Sequence, residues 1–272
     1  MNAGAAELRT LAVEVARAAG ALVRERRATG VSVAATKSSD VDVVTEADRA
    51  SEELVRRLLA EARPGDGFLG EEGHDDDGST GVRWVVDPID GTVNFLYGIP
   101  QYAVSVAAQR DGVSVAGAVL DVASGSVWSA ERADDGSAAS WRDGVPTAVR
   151  APAPLAQRLV GTGFSYEARV RALQAAAVGR LLPQVRDIRR FGSCALDLCG
   201  VASGLLDGYV EEGTHLWDHA AGSLVAEGAG ARWALARGVG GGDLLVCAPA
   251  HGFDELWETV VACGFAAASD TV

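Results

Sequence analysis

Trp84-Val85-Val86-Asp87-Pro88-Ile89-Asp90-Gly91-Thr92-Val93-Asn94-Phe95 is the densest chemical signal in the chain. Its apolar start reads as a buried strand that ends in a carboxylate, with Pro88 closing the ladder. A second carboxylate follows three residues on, and Gly91-Thr92 reads as the opening of a helix. This spacing lets Asp87 and Asp90 converge beside a glycine, where backbone can approach a ligand closely. Backbone N–H groups at a helix start then face an anion. Hard oxygen ligands next to an anion cradle are what a Mg2+-dependent phosphate site requires. In isolation, the same D-P-x-D-G pattern serves equally well as a turn and N-cap.

Upstream of this stretch the period is helical. Leu8, Leu11, Ala12, Val15, Ala19, Leu22 and Val23 recur at helix spacing up to Gly30. Thr45-Glu46-Ala47-Asp48 then opens a second helix as a capping box, continuing through Leu54, Val55, Leu58, Leu59 and Ala62 to Pro64-Gly65. Downstream, residues 102–108, 113–119 and 126–130 read as strands. Asp111-Gly112 and Ser124-Gly125 turn them into antiparallel hairpins.

The second half alternates strand and helix. Strands are expected at Leu159-Val160, 186–191, 206–211 and near Arg232 and Leu244. Helices are expected over 167–182, from Ser193 to Gly204, over 218–227 and from Asp254. Ala151-Pro152-Ala153-Pro154 is the best boundary between an N-terminal half (about 1–150) and a C-terminal half (about 151–272). The pattern implies a single mixed α/β domain over 1–272, its halves packed together.

With 272 residues, 48% of them hydrophobic, the chain can build a large core. A net charge of −13 argues against a nucleic-acid or anionic-membrane surface, because phosphates repel carboxylates unless cations intervene. No apolar run approaches the roughly 18–20 residues of a membrane span. Glu7 and Glu14 inside the first apolar pattern exclude a secretory signal. The four cysteines, Cys194, Cys199, Cys247 and Cys263, contain no CxxC pair and read as reduced, buried thiols of a cytoplasmic protein.

Other acidic positions are ambiguous one by one. Glu71-Glu72 between Gly70 and Gly73 reads as an acidic loop, Asp218 as a helix N-cap, and Asp48 as the N3 member of its capping box. Asp75-Asp76-Asp77 reads as a solvated loop.

Their order along the chain changes the reading. Lys37-Ser-Ser-Asp40 with Asp42 to Asp48, Gly70-Glu71-Glu72, Trp84 to Phe95, and Gly192-Ser-Cys-Ala-Leu-Asp-Leu-Cys199 continuing to Trp217-Asp218 together resemble the inositol monophosphatase family. The WxxDPIDGTxNF block is specific for the wider lithium-sensitive, metal-dependent phosphatase superfamily. The later block, with Gly161-Thr-Gly-Phe-Ser-Tyr166, is most similar to bacterial inositol-1-monophosphatases. The resemblance implies a layered α-β-α-β-α sandwich. It also implies two or three Mg2+ ions per site (or Mn2+) on Glu71, Asp87, the Ile89 carbonyl, Asp90 and Asp218, with Asp87 bridging two of them. Thr92, oriented by Asp48, would position the attacking water, and the Gly91 and Thr92 amides would hold the phosphate. Glu211 and the Cys194-Ala195 turn would meet the inositol hydroxyls beside Asp90 and Asp218. Many family members carry Ala where this chain has Cys194, which bears on the substrate and leaves the reaction untouched.

The implied chemistry is hydrolysis of a phosphate monoester, with Mg2+ neutralising the ester and activating water, and no phosphoenzyme. His74, His215, His219 and His251 form no triad-like pattern. The first substrate is myo-inositol 1-phosphate, a small phosphorylated polyol. Histidinol phosphate, fructose 1,6-bisphosphate and 3′-phosphoadenosine 5′-phosphate are its rivals. For a bisphosphate, Arg186, Arg189 and Arg190 are the nearest basic run, which serves equally as an interface. A regulatory role through protein contacts is the alternative of another class. The family further suggests a homodimer with no membrane or nucleic-acid partner.

Overall fold

A computed structural model describes residues 3–30, 33–36 and 43–267. The Lys37–Asp42 block therefore lies outside the described residues. The chain opens with helix α1 (Ala5–Thr29), the strand pair β1 (Val33–Thr36) and β2 (Val43–Thr45), and helix α2 (Glu46–Ala62). The capping box forms as read: Ala47 N donates to Thr45 Oγ1 at 3.1 Å, and Thr45 N donates to Asp48 Oδ2 at 2.8 Å.

Next come β3 (Asp66–Gly70), β4 (Asp75–Gly78), β5 (Val82–Asp90), the short helix α3 (Thr92–Tyr97), and an antiparallel run β6 (Ala103–Arg110), β7 (Val113–Asp121), β8 (Val127–Arg132), β9 (Ala138–Arg142) and β10 (Val145–Pro146). They form one eight-stranded sheet in the order β10-β9-β8-β7-β6-β5-β3-β4. Only β3 and β5 run parallel within it, so both strands end at the same edge.

Two expectations are corrected here. Asp75-Asp76-Asp77 is solvated but is not a loop: it is an exposed edge strand paired with β3 and tied to Arg83 through Asp75. Charges on such an edge discourage pairing with another chain. Pro88 also does not end its strand. β5 runs on to Asp90, and its register against β6 shifts between Asp87 (opposite Ser105) and Asp90 (opposite Ala103). That bulge absorbs the residue without an N–H. In a regular strand, residues three apart face opposite sides; the extra residue lets both carboxylates serve one side.

The second half contains β11 (Leu159–Thr162), α4 (Ala168–Leu181), β12 (Asp187–Arg189), α5 (Cys194–Ala202), β13 (Gly208–Glu212), α6 (Leu216–Gly228), β14 (Ala231–Arg237), β15 (Asp243–Pro249) and α7 (Phe253–Ala262). Its five-stranded sheet has the order β12-β11-β13-β15-β14. Asp218 is not the N-cap expected of it; it sits at N3 of α6, where Oδ2 accepts from His215 N at 2.6 Å.

Side-chain alternation sorts these elements into five layers. Trp84 and Val86 of β5 pack with Leu8, Ala12 and Val15 of α1 and Val55 of α2. Val85, between them, faces Ala195 and Cys199 of α5 and Leu224 and Val225 of α6. The same middle helices present Leu198 and Ala226 to Tyr209, Leu245 and Cys247 of the second sheet. Its outer face, with Val210, Leu244 and Val246, is covered by Leu181 of α4 and Leu256 and Val260 of α7. The order α-β-α-β-α is therefore observed. Close packing at its centre depends on Gly117, where a Cβ would lie 3.2 Å from the Cβ of Ala221. All four cysteines are buried and free.

Candidate active site

A cavity of about 500 Å3 opens where the edge shared by β3 and β5 meets the middle helices and the end of β13. Its walls bring together Glu71, Asp87, Ile89, Asp90, Gly91, Thr92, Cys194, Glu211 and Asp218. Two of the residues singled out from the sequence stand behind the wall. Asp48 is buried and reaches the site through Thr92, whose Oγ1 lies 3.1 Å from Asp48 Oδ1 and 3.0 Å from the Ile89 carbonyl. Ala195 is fully buried, and its N–H points at Asp90.

Asp90 is held by the start of α5. Ser193 Oγ donates to its Oδ2 at 2.6 Å, Ala195 N to the same oxygen at 2.7 Å, and Cys194 N to Oδ1 at 3.3 Å. Asp87 Oδ1 accepts from Ile89 N at 3.0 Å. Gly91 turns the chain into α3 at φ 95°, a conformation that glycine adopts without strain.

These carboxylates are buried among one another, and their acidities show it. Burial, then repulsion from Glu71, Asp90 and Asp218, pushes Asp87 well above the usual carboxylate range. Burial lifts Asp90 to about 7 against its hydrogen bonds from Ser193 and Ala195, with Glu211 and Glu71 adding repulsion. Asp218 is raised by burial and then by Glu71 and Asp90, with the His215 N–H opposing. Asp48 rises to about 6, chiefly through burial, despite its bonds from Thr45.

The donor set is oxygen-rich and anionic, as a hard divalent cation needs. Among the described residues, no three Asp, Glu, His or Cys side chains already close around one point as a preformed cage. The carboxylates share a wall, and repulsion between like charges favours that spread.

Glu211, which the resemblance places against the inositol hydroxyls, stands on the cavity wall. It is half-buried: Tyr209 OH donates to its Oε2, and a Cβ on Gly163 would overlap its carboxylate. Burial raises its pKa, with Tyr209 and then Arg190 opposing.

The wall also holds Arg190 of the basic run, and residues such as Glu212 that were not singled out from the sequence. Arg190 belongs to the cavity, whereas Arg189 pairs with Asp187 and Arg186 donates to the Gln157 carbonyl. His215 stacks on Trp217 with ring centroids 4.9 Å apart, both on the wall. Glu212, buried, accepts from Gly240 N at 2.6 Å and Gly242 N at 3.2 Å, and so holds a glycine-rich turn against the cavity. The run Gly238-Val239-Gly240-Gly241-Gly242 was the available signal for that turn.

The layered fold and its carboxylate-walled cavity describe a phosphatase-like hydrolase, and comparison with known proteins agrees. The profile of the Inositol monophosphatase family matches residues 5–268. The chain is 47% identical over 267 residues to the Mycobacterium tuberculosis (strain H37Rv) protein named inositol-1-monophosphatase SuhB, covering 92% of each. It is 34% identical to the Pasteurella multocida protein named Nus factor SuhB, covering 81% of this chain and 82% of that one. The solved structure of Mycobacterium tuberculosis SuhB superposes with a TM-score of 0.82 at 43% identity, covering 97% of this chain and 99% of that one. The chain belongs to the inositol monophosphatase family, a metal-dependent family, and is a phosphoric monoester hydrolase.

Proposed function

We propose that the protein hydrolyses myo-inositol 1-phosphate to myo-inositol and phosphate with Mg2+, using water as the nucleophile. The observation that carries this reading is a single cavity wall bearing Glu71, Asp87, Asp90 and Asp218, whose mutual repulsion a cation would relieve. With the Ile89 carbonyl, these residues would hold Mg2+ or Mn2+, Asp87 serving two ions. Bound there, the metal would neutralise the ester dianion, favour ionisation of the attacking water and stabilise the leaving alkoxide.

The chain's own groups do the positioning. Once Thr92 commits its hydrogen to Asp48, the lone pairs of Oγ1 accept from the attacking water and orient it. The Gly91 and Thr92 amides would cradle the phosphate at the start of α3. Glu211, fixed by Tyr209, would accept from a ring hydroxyl. Cys194 supports water as the nucleophile: burial and then Glu211, Asp90 and Asp218 push its thiol far above neutral pH, so it does not ionise to attack phosphorus.

Phosphate release should be measured on myo-inositol 1-phosphate, histidinol phosphate, fructose 1,6-bisphosphate and 3′-phosphoadenosine 5′-phosphate, with EDTA and with Mg2+ restored. Turnover highest on inositol phosphate and strictly dependent on the added metal is the expected result. Full activity after exhaustive chelation would sink the metal reading.

A regulatory role through protein contacts is a second reading, favoured by the Pasteurella relative's name. Asp87→Asn protein that captures the same partners as wild type without turnover would separate it from catalysis. A cytoplasmic location follows from the reading of the cysteines as reduced thiols, and a homodimeric state from the family resemblance; no helix among the described residues is long and apolar enough to cross a membrane.

A further inference from the structure

Helix α2 reaches the active site with three side chains on one face. Asp48 accepts from Thr92, Ser51 Oγ donates to the Pro88 carbonyl at 3.1 Å, and Glu52 meets the loop that carries Glu71. Their i, i+3, i+4 spacing places them side by side. Glu52 is 1% exposed and does not line the cavity, yet its carboxylate is engaged on both oxygens.

One carboxylate oxygen accepts from Glu72 N at 2.8 Å, and the other lies 2.7 Å from His74 Nδ1. A carboxylate only accepts, so Nδ1 carries the hydrogen. Gly70 leaves room for this arrangement, because a Cβ there would overlap the Glu52 carboxylate. Gly70 N donates to the His74 carbonyl at 2.8 Å, and Glu71 N to the Val86 carbonyl at 3.2 Å. Those two backbone bonds already close the turn and dock it on β5. A buried carboxylate bonded to both sides of the turn adds something else: it fixes the orientation of the peptide between Glu71 and Glu72.

We infer that Glu52, working with His74, is a positioning residue that sets where the Glu71 carboxylate stands and thereby tunes the affinity of the site for its divalent cation. The inference rests on the reading of Glu71 as a metal ligand given above.

The test is Mn2+ binding to the full chain, followed by electron paramagnetic resonance of free Mn2+. It is paired with the Mg2+ concentration for half-maximal phosphate release and with kcat at saturating Mg2+. Glu52→Gln keeps the volume and one acceptor but loses the charge and the second acceptor. Its Mn2+ dissociation constant should rise about tenfold, equivalent to about 1.4 kcal/mol. Half-activating Mg2+ should rise in step, with kcat at saturation within about twofold. His74 is exposed, so His74→Ala should fold; a rise of about threefold is expected, and His74→Gln, which restores an amide donor, should reverse it. Glu53→Gln, on the exposed face of α2 where Glu53 pairs with Arg56, is the control that should change nothing.

Wild-type Mn2+ affinity in both Glu52→Gln and His74→Ala overturns the inference while leaving the metal reading intact. So does a fall in kcat at saturating Mg2+ with affinity unchanged. If Glu52→Gln does not fold, the pair His74→Ala and His74→Gln decides. Failure of the wild type itself to bind Mn2+ overturns the metal reading, and this inference with it.

Discussion

If Glu211 binds only the alcohol, two unrelated substitutions should damage the same property. Glu211→Gln removes the charge; Gly163→Ala leaves it but puts a methyl group where the carboxylate now stands. Tyr209 occupies Oε2, so Oε1 is the oxygen left for a substrate hydroxyl. A carboxylate accepting from a hydroxyl is a charge-assisted bond worth roughly 1.5–3 kcal/mol. Its loss should lower kcat/KM for inositol 1-phosphate by about one to two orders of magnitude, since about 1.4 kcal/mol is tenfold. Gly163→Ala should fall at the upper end, because Glu211 must move and Tyr209 loses its acceptor with it. The assay is the ratio of kcat/KM on inositol 1-phosphate to that on p-nitrophenyl phosphate, which has no ring hydroxyls. The ratio cancels general damage to the fold. Equal losses on both substrates would refute the reasoning and place Glu211 among the groups that support the metals or scaffold. No loss on either would mean that the polyol is held elsewhere.

Asp87→Asn should cost more turnover than Asp218→Asn. In EDTA both should raise the melting temperature, because each relieves repulsion within the carboxylate wall; a lower melting temperature for both would contradict that electrostatic account. Asp48 binds its proton more tightly in the folded chain, with its pKa raised from 3.8 to about 6, so its stabilising contribution is complete below pH 3.8 and lost as pH rises through about 6. Urea unfolding of metal-free protein should therefore show a decline, worth about 3 kcal/mol at most, that Asp48→Asn flattens; an unchanged slope would remove Asp48 as its source. Li+ should inhibit by competing for the site formed by Asp87, Asp90 and Asp218, as the family resemblance implies. Full turnover at high millimolar Li+ would count against the inositol branch.

What could be read from the chain followed local periodicity. The run from β6 to β8 was legible because Asp111-Gly112 and Ser124-Gly125 interrupt apolar alternation at hairpin spacing. β4 was not, since three successive aspartates carry no strand pattern and pair only because β3 offers an edge. Nor were β9, where small residues blur the alternation, and β10, which is only two residues long. In the site, the acidic residues were visible through their motif, but their supports were not. Ser193 read as a helix cap and does cap α5, yet it also donates to Asp90, 103 residues earlier. Glu52 has, by spacing alone, nothing to set it apart from the other polar residues of its helix. Contacts of that kind join distant segments, and no local spacing announces them.

The cavity draws Glu71, Asp87 and Asp90 from one sheet, Glu211 from the other, and Asp218 from a helix pressed between them. On the reading proposed above, turnover therefore needs both sheets and the helix between them. The segment that ends with the eight-stranded sheet carries three of the five carboxylates and lacks Glu211 and Asp218. That segment alone should be silent towards the proposed substrate. Fragments split near Pro152 should accordingly show activity only when combined.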